Sequence, residues 1–303
     1  GNQADYKFSV NSAGQVLVQD INMANGNEGT DTLTGVEVAS FAEGPFTISV
    51  IGGNTRVNTF TPDHQGFSTI ARLTDGGYVV MWQSMNQDGH AFGIFGQRYA
   101  ANGTPQGNEF LANTTVAGDQ IMPSVAALPN GGYVAVWRSQ AGIVTQQFAA
   151  NNTKVGSEII VSSVSGIGLT FPPAIAALDD GGYVVTWGQD SNILAQHYTA
   201  GNVPAGPLVT VSSNPMVWVQ EPSVATLPGG GYVVTWVSNN SETQTTSVVA
   251  QKYTAADAPD GDLIPITSIQ NTQGWIVAPS IATQPDGSYV MTWLLNNPAS
   301  NTT

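Results

Sequence analysis

The chain has 303 residues, of which 41% are hydrophobic and only 9% charged, with 21 acidic against 7 basic residues and a net charge of −14. That is enough apolar side chain for a sizeable core, while an acidic surface repels phosphate backbones and anionic membranes and so excludes nucleic acid as a partner. There is no cysteine, hence no disulfide framework or Cys-based zinc site, and no apolar run reaches the ~18 residues that a bilayer crossing needs.

From the N-terminus, Asp5-Tyr6 opens a predicted hairpin of residues 8–10 against 16–18. It is followed by Gly26-Asn27-Glu28-Gly29-Thr30-Asp31-Thr32-Leu33-Thr34, close to one copy of a calcium-binding nonapeptide with Asn27 in place of the second glycine. Carboxylate and carbonyl oxygens are the hard ligands that Ca2+ takes, so Asn27 and Asp31 are the candidate metal residues. The competing reading is a turn whose Asp bonds its own backbone.

Beyond residue 60 the chain repeats itself. Pro-Ser-Val-Ala-Ala-Leu-Pro-Asn-Gly-Gly-Tyr-Val-Ala-Val-Trp at 123–137 recurs at 173–187, 222–236 and 279–293, and in variant form at 68–82. The closing tryptophans Trp82, Trp137, Trp187, Trp236 and Trp293 are spaced by about 50 residues, a period that marks a repeat architecture. Within each copy two short β-forming stretches flank a glycine turn, Asp-Gly-Gly or Asn-Gly-Gly in the first three copies, Gly229-Gly230-Gly231 in the fourth and Asp286-Gly287-Ser288 in the fifth, the chemistry of a tight hairpin. A third predicted strand ends in Gln-x-(Tyr/Phe), at Gln97, Gln146, Gln196 and Gln251, and a fourth follows a Gly/Asn/Pro turn. Four antiparallel strands per unit make a propeller blade.

The expected fold is therefore all-β: a five-bladed β-propeller, with a small β-hairpin segment over residues 1–44. The propeller spans residues 45–303, in units near 60–112, 113–161, 162–211, 212–267 and 268–303. The last unit stops soon after Trp293, and residues 45–59 are expected to supply its remaining strands and close the ring.

Gln87-Asp88-Gly89, Gly93-Ile94-Phe95-Gly96-Gln97-Arg98-Tyr99, Gly107-Asn108-Glu109-Phe110 and Gly118-Asp119-Gln120 carry a resemblance to the repeat region of large secreted, haemolysin-like bacterial proteins of the repeats-in-toxin type. Residues 1–44 resemble a segment that accompanies calcium nonapeptides in such proteins, so the likeness covers nearly the whole chain. It implies a secreted, extracellular protein with a calcium association. The start without Met suggests a part of a longer polypeptide.

On the repeated frame, the informative positions are those that vary. The loops entering the first strand and leaving the second are expected on one face of every blade. Four residues before each unit stand His64, Asp119, Leu169, Trp218 and Trp275. The second-to-third loops add Asp88, His90, Asp190 and Glu242, groups suited to hydroxyls or a cation. Against this, Trp218 and Trp275 can be plugs between blades, and the repeated Asp, Gln and Trp read as scaffold, the Gln bonding backbone groups between adjacent blades, while His197, which varies with Arg, Gln and Lys at its repeat position, reads as an exposed strand residue. The expectation is a binding or adhesion module that recognises glycan or another extracellular surface. Two alternatives stand beside it: a carbohydrate-active hydrolase using rim carboxylates such as Asp119 and Glu221, and a spacer in a larger adhesin or toxin. The three histidines show no metal-ligand spacing, and no nucleophile elbow or phosphate loop is present.

Overall fold

A computed structural model describes residues 56–163, 171–213, 217–284 and 286–296, with the main chain alone at 213 and 217–218 and in five strands between residues 6 and 47. The chain divides into two compact units, Gly1–Val57 and Asn58–Thr303. In the first, β1 (Tyr6–Val10), β2 (Val16–Asp20) and β3 (Thr30–Leu33) form an antiparallel sheet. Phe8 stands opposite Val18 and Val10 opposite Val16, so the predicted hairpin is present in its predicted register. A second pair, β4 (Val38–Phe41) and β5 (Gly44–Thr47), is antiparallel too.

The second unit is a series of antiparallel sheets. The first sheet has β6 (Gln65–Arg72), β7 (Tyr78–Met85), β8 (Phe92–Tyr99) and β9 (Pro105–Leu111). The second has β10 (Gln120–Ala127), β11 (Tyr133–Ser139), β12 (Gly142–Phe148) and β13 (Lys154–Ser162), and the third β14 (Ala174–Ala177), β15 (Tyr183–Gln189), β16 (Asn192–Tyr198) and β17 (Val209–Ser213). The fourth has β18 (Val217–Thr226), β19 (Tyr232–Asn240), β20 (Thr245–Tyr253) and β21 (Ile264–Gln270). After a 3-10 turn, Asn271–Gln273, the fifth sheet comprises β22 (Trp275–Thr283) and β23 (Tyr289–Asn296). The strand order is sequential in every sheet, as short hairpin connections dictate. Residues 48–55, within the segment expected to complete the fifth sheet, lie outside the described residues.

The local chemistry of the hairpins is as expected. Gly76, Gly131, Gly181, Gly230 and Gly287 all adopt φ between 83 and 89°, a region open to glycine at little cost. The preceding Asp or Asn caps the turn: Asp75, Asn130, Asp180 and Asp286 each accept the N–H two residues on through Oδ1, at 2.8 to 2.9 Å. These Asp and Asn side chains are turn formers rather than ligands.

Consecutive sheets stack face to face through layers of apolar side chains. Val79, Met81 and Ile94 of the first sheet pack on Tyr133, Ala135 and Trp137 of the second. Val134, Val136 and Ile143 pack on Tyr183, Val185 and Trp187 of the third, and Val184, Ile193 and Ala195 on Tyr232, Val234 and Trp236 of the fourth. Both faces of the second strands of the first four sheets are therefore buried. The β6–β7, β10–β11 and β14–β15 turns converge on one concavity lined by Leu73, Leu128 and Leu178, so the first strands of these sheets approach one another. This is the blade packing of a propeller. The fifth sheet departs from it: Trp82, Trp137, Trp187 and Trp236 are at most 4% exposed, whereas Trp293 is 38% exposed and Leu294 61%.

Two expectations about the repeated polar residues need correction. The glutamines were expected to bridge neighbouring blades, but each works inside its own sheet. Gln97 Nε2 donates to the carbonyls of Arg98 and Gly107, Gln196 Nε2 to those of His197 and Gly206, and Gln251 Nε2 to those of Lys252 and Gly261. Where the register breaks between third and fourth strands, as between Gly96 and Arg98, the amide replaces the missing ladder bond. The next position, which holds Arg98, Gln147, His197 and Lys252, was expected to be exposed. Instead Arg98, Gln147 and His197 are buried. Arg98 pairs with Asp75 at 2.5 Å, and His197 lies 3.5 Å from Asp180 and 3.4 Å from Asp257 of the fourth sheet. The position lies between the first turn of its own sheet and the third turn of the neighbouring one, where long polar side chains find partners.

Stacked tyrosines fasten the second and third strands, with ring centroids 4.9 Å apart in Tyr78–Tyr99 and 5.1 Å in Tyr183–Tyr198. Burial pushes the Tyr183 and Tyr253 phenols up to about 12, and those of Tyr133 and Tyr232 higher still. An unfolded chain ionises its tyrosines near pH 10 while the folded chain holds these protons. Stability is thus intact below that pH and lost as pH rises towards 12, by about 1.4 kcal/mol per pH unit for each such tyrosine. Urea unfolding at about pH 9 and pH 11 checks this; equal midpoints would contradict it.

Candidate functional site

The loops entering the first strand and leaving the second do share one face. In the first sheet Met85 N–H donates to the His64 carbonyl at 2.9 Å, and Asn86 Nδ2 to Asp63 Oδ2 at 3.2 Å. In the second sheet the same two loops bound a concavity of about 490 Å³. Trp137 and Val144 form its floor, Ile160 one wall, and Gln120, Gln140 and Glu158 contribute polar groups. Ala117 and Ala141 leave the opening unfilled.

The wall is held by a strap, residues 113–119, that crosses from the first sheet to the inner strand of the second. Asn113, 1% exposed, accepts the Ile94 N–H at 2.7 Å and donates to the Thr115 carbonyl and Gln120 Oε1. Gln120 Nε2 in turn donates to the Ala117 carbonyl at 3.0 Å. Glu158 accepts the N–H groups of Thr114 and Thr115 and the Thr115 hydroxyl. Lys154 Nζ donates to the Asn113 carbonyl at 2.9 Å, and burial lowers its pKa. The pocket is thus built before any ligand arrives, the condition under which polar contacts are bought without reordering. Asn58, Thr59 and Gln65 repeat the strap in the first sheet, with Thr59 N–H donating to Glu109.

The residues singled out from sequence are distributed as follows. His64 and Asp119 come together around Phe92: the His64 ring lies edge-on to it, 6.0 Å between centroids, and Asp119 Oδ1 accepts its N–H at 3.4 Å. His64 and Asp119 are both exposed. Asp88 Oδ1 accepts the His90 N–H at 3.0 Å, and its Oδ2 is buried. Asp190 and Ser191 both have positive φ, 51° and 63°, so Asp190 makes the two-residue turn between β15 and β16. Glu242 is exposed in the β19–β20 turn, its N–H bonded to Asn240 Oδ1. Trp275 is 51% exposed and is no plug between sheets. Trp218 pairs with Asn239 through the main chain, and its side chain lies outside the described residues, as does Leu169. Glu221 sits at a bulge of β18 with φ 53°, where its carboxylate accepts the Ala278 N–H of the next sheet. Asp31 stands opposite Val18 in an antiparallel ladder, and Asn27 lies outside the described residues. Among the described residues no group of three or more His, Asp or Glu is placed to hold a metal.

Sequence reasoning passed over the pocket itself. Its floor tryptophan was assigned to the scaffold, which it also serves, and the hole is made by small residues that carry no chemical signal. The two-residue turn Gln140-Ala141, against the longer loop of the first copy, was the available clue.

No protein-family description and no curated protein matches this sequence. Among solved structures the chain is similar to an α-L-arabinanase of Penicillium chrysogenum, solved in complex with arabinobiose: TM-score 0.54, 15% identity, 80% of each chain covered. It is also similar to a protein of unknown function from Dyadobacter fermentans, with TM-score 0.50 and 10% identity over 76% of this chain and 75% of that one. At these identities the likeness speaks to fold: successive antiparallel sheets of four strands, arranged as propeller blades.

Proposed function

We propose that this chain is an extracellular binding module of a longer secreted polypeptide, and that its second sheet takes a short neutral saccharide. The observation that carries the reading is the preformed concavity over Trp137. It offers an apolar floor and wall for the carbon face of a sugar, and Gln140, Gln120 and Glu158 for its hydroxyls. That the similar arabinanase was solved with arabinobiose makes this disaccharide a sensible first probe. The small share of charged residues, 9%, suits a neutral ligand.

Titration calorimetry with arabinobiose and a panel of neutral oligosaccharides tests it. Saturable binding at one site is expected. Ile160→Asp, at a side chain 54% exposed, is expected to weaken binding at least about tenfold with little loss of stability. No binding at millimolar sugar, or equal binding by the variant, would discard the reading. Calcium at Asn27 and Asp31 rests on the sequence likeness, and the same experiments in millimolar Ca2+ and in chelator check it: a melting temperature that does not rise removes calcium from the proposal.

A further inference from the structure

The first sheet carries the same frame as the second, position for position. Trp82 faces Phe95 across the ladder as Trp137 faces Val144, and Ser84 faces Gly93 as Ser139 faces Gly142. Gln65 and Glu109 take the strap contacts of Gln120 and Glu158. What differs is the loop between the second and third strands. The second sheet turns in two residues, Gln140 and Ala141, whereas the first uses a six-residue loop, 86–91.

This loop lays its side chains where the second sheet is open. Gln87 Nε2 donates to Glu109 Oε2 at 2.9 Å. Asp88 Oδ2 lies so close over Gly93 that a Cβ there would meet it at 2.7 Å, beside the cross-strand Ser84. The fit is poor in one respect. Trp82 Nε1, Ser84 Oγ, Gln87 Oε1 and Asp88 Oδ2 are all buried without a hydrogen-bond partner, half of the eight such atoms among the described residues. Trp82 is 4% exposed and Ser84 0%. The corresponding indole of the third sheet is satisfied, since Trp187 Nε1 donates to Gln189 Oε1 at 3.1 Å. Buried polar atoms are rarely left unpaired, and unpaired ones cluster where a partner is expected. Here an indole N–H, a hydroxyl and an aromatic floor share one face, the set that holds a sugar ring.

We propose that the first sheet holds a second, covered saccharide site, floored by Trp82 and Phe95 with Ser84 at its side, and that the loop carrying Gln87 and Asp88 lies in it until a ligand displaces it. A ligand hydroxyl accepts from Trp82 Nε1 and exchanges a hydrogen bond with Ser84 Oγ, while Gln87 Oε1 and Asp88 Oδ2 regain water. The inference rests on the saccharide reading of the second sheet and names the same ligand class.

The test is calorimetry with arabinobiose on the full chain. Gln87→Ala with Asp88→Ala keeps the loop but removes the two side chains, and is expected to raise the stoichiometry from one site to two. A shorter version, with residues 85–92 replaced by Gln-Ala as in the second sheet, is expected to do the same, and circular dichroism reports whether either variant is folded. Adding Ile160→Asp to the Gln87/Asp88 variant must then leave one site, with Trp82 fluorescence responding to sugar. If the folded variants still bind one equivalent and Ile160→Asp abolishes it, the covered site is refuted and the second-sheet reading survives. If neither wild type nor variant binds, both fall.

Discussion

Trp187→Ala is expected to lower the unfolding free energy by about 3–5 kcal/mol, the range for removing a fully buried large aromatic side chain. Trp187 is 1% exposed between the second and third sheets, packed among Val134, Val136, Ile143 and Leu194. Its indole also donates to Gln189 Oε1, which in turn accepts the Ser162 hydroxyl, so truncation opens a cavity and strips one bond from a small network. The same substitution at Trp293, 38% exposed at the corresponding position of the fifth sheet, is expected to cost about 1 kcal/mol, because less area leaves water on folding. Urea unfolding of the two variants, at unchanged slope, makes the comparison. Equal losses at both positions would mean that in solution the fifth tryptophan is as covered as the others, and would favour a completed fifth sheet.

Much of this frame was legible before any coordinates. The Asp-Gly-Gly turns give the hairpins because φ near 85° and a side-chain cap leave few other residues at those places. The period of the tryptophans gives the layering because Trp137, Trp187 and Trp236 sit at the same register against the preceding sheet. What the sequence hid were matters of direction and volume. Gln196 recurs as a buried amide would, but recurrence alone cannot tell a bond to its own sheet from one to the neighbour. Variation among Arg98, Gln147 and His197 looks like exposure, yet it reflects different partners for a buried polar atom: Asp75 for the first, Asp257 for the third. Asp88, Asp190 and Glu242 all stand in turns, which draw on the same residue types as a binding rim. The pocket over Trp137 is defined by what Ala117 and Ala141 leave empty, and an empty volume has no letter of its own.

Gly182→Ser is expected to destabilise the third sheet by about 2–3 kcal/mol, the cost of forcing atoms into a packed site that cannot yield. The second glycine of the turn is not in the left-handed region, so backbone conformation is not what demands it. A Cβ at Gly182 would stand 2.2 Å from the Tyr198 carbonyl oxygen, and the same clash recurs at Gly77 with Tyr99, Gly132 with Phe148 and Gly231 with Tyr253, at 2.3 to 2.4 Å. The offending atom is main chain, fixed by the ladder in which Tyr183 faces Tyr198. The glycine is therefore a steric mark of the third strand's last residue. In the fifth copy this place is Ser288, and the reverse change Ser288→Gly is expected to shift stability by no more than about half a kcal/mol, a surface-sized effect. Thermal melts of the two variants separate the cases: a small loss at Gly182 would mean that the third strand moves aside. The asymmetry also constrains how the fifth sheet can be finished. A strand laid on β23 along the path used by β8, β12, β16 and β20 would bring its carbonyl onto the Ser288 side chain. Whatever segment pairs there must diverge from the repeat before it reaches that turn.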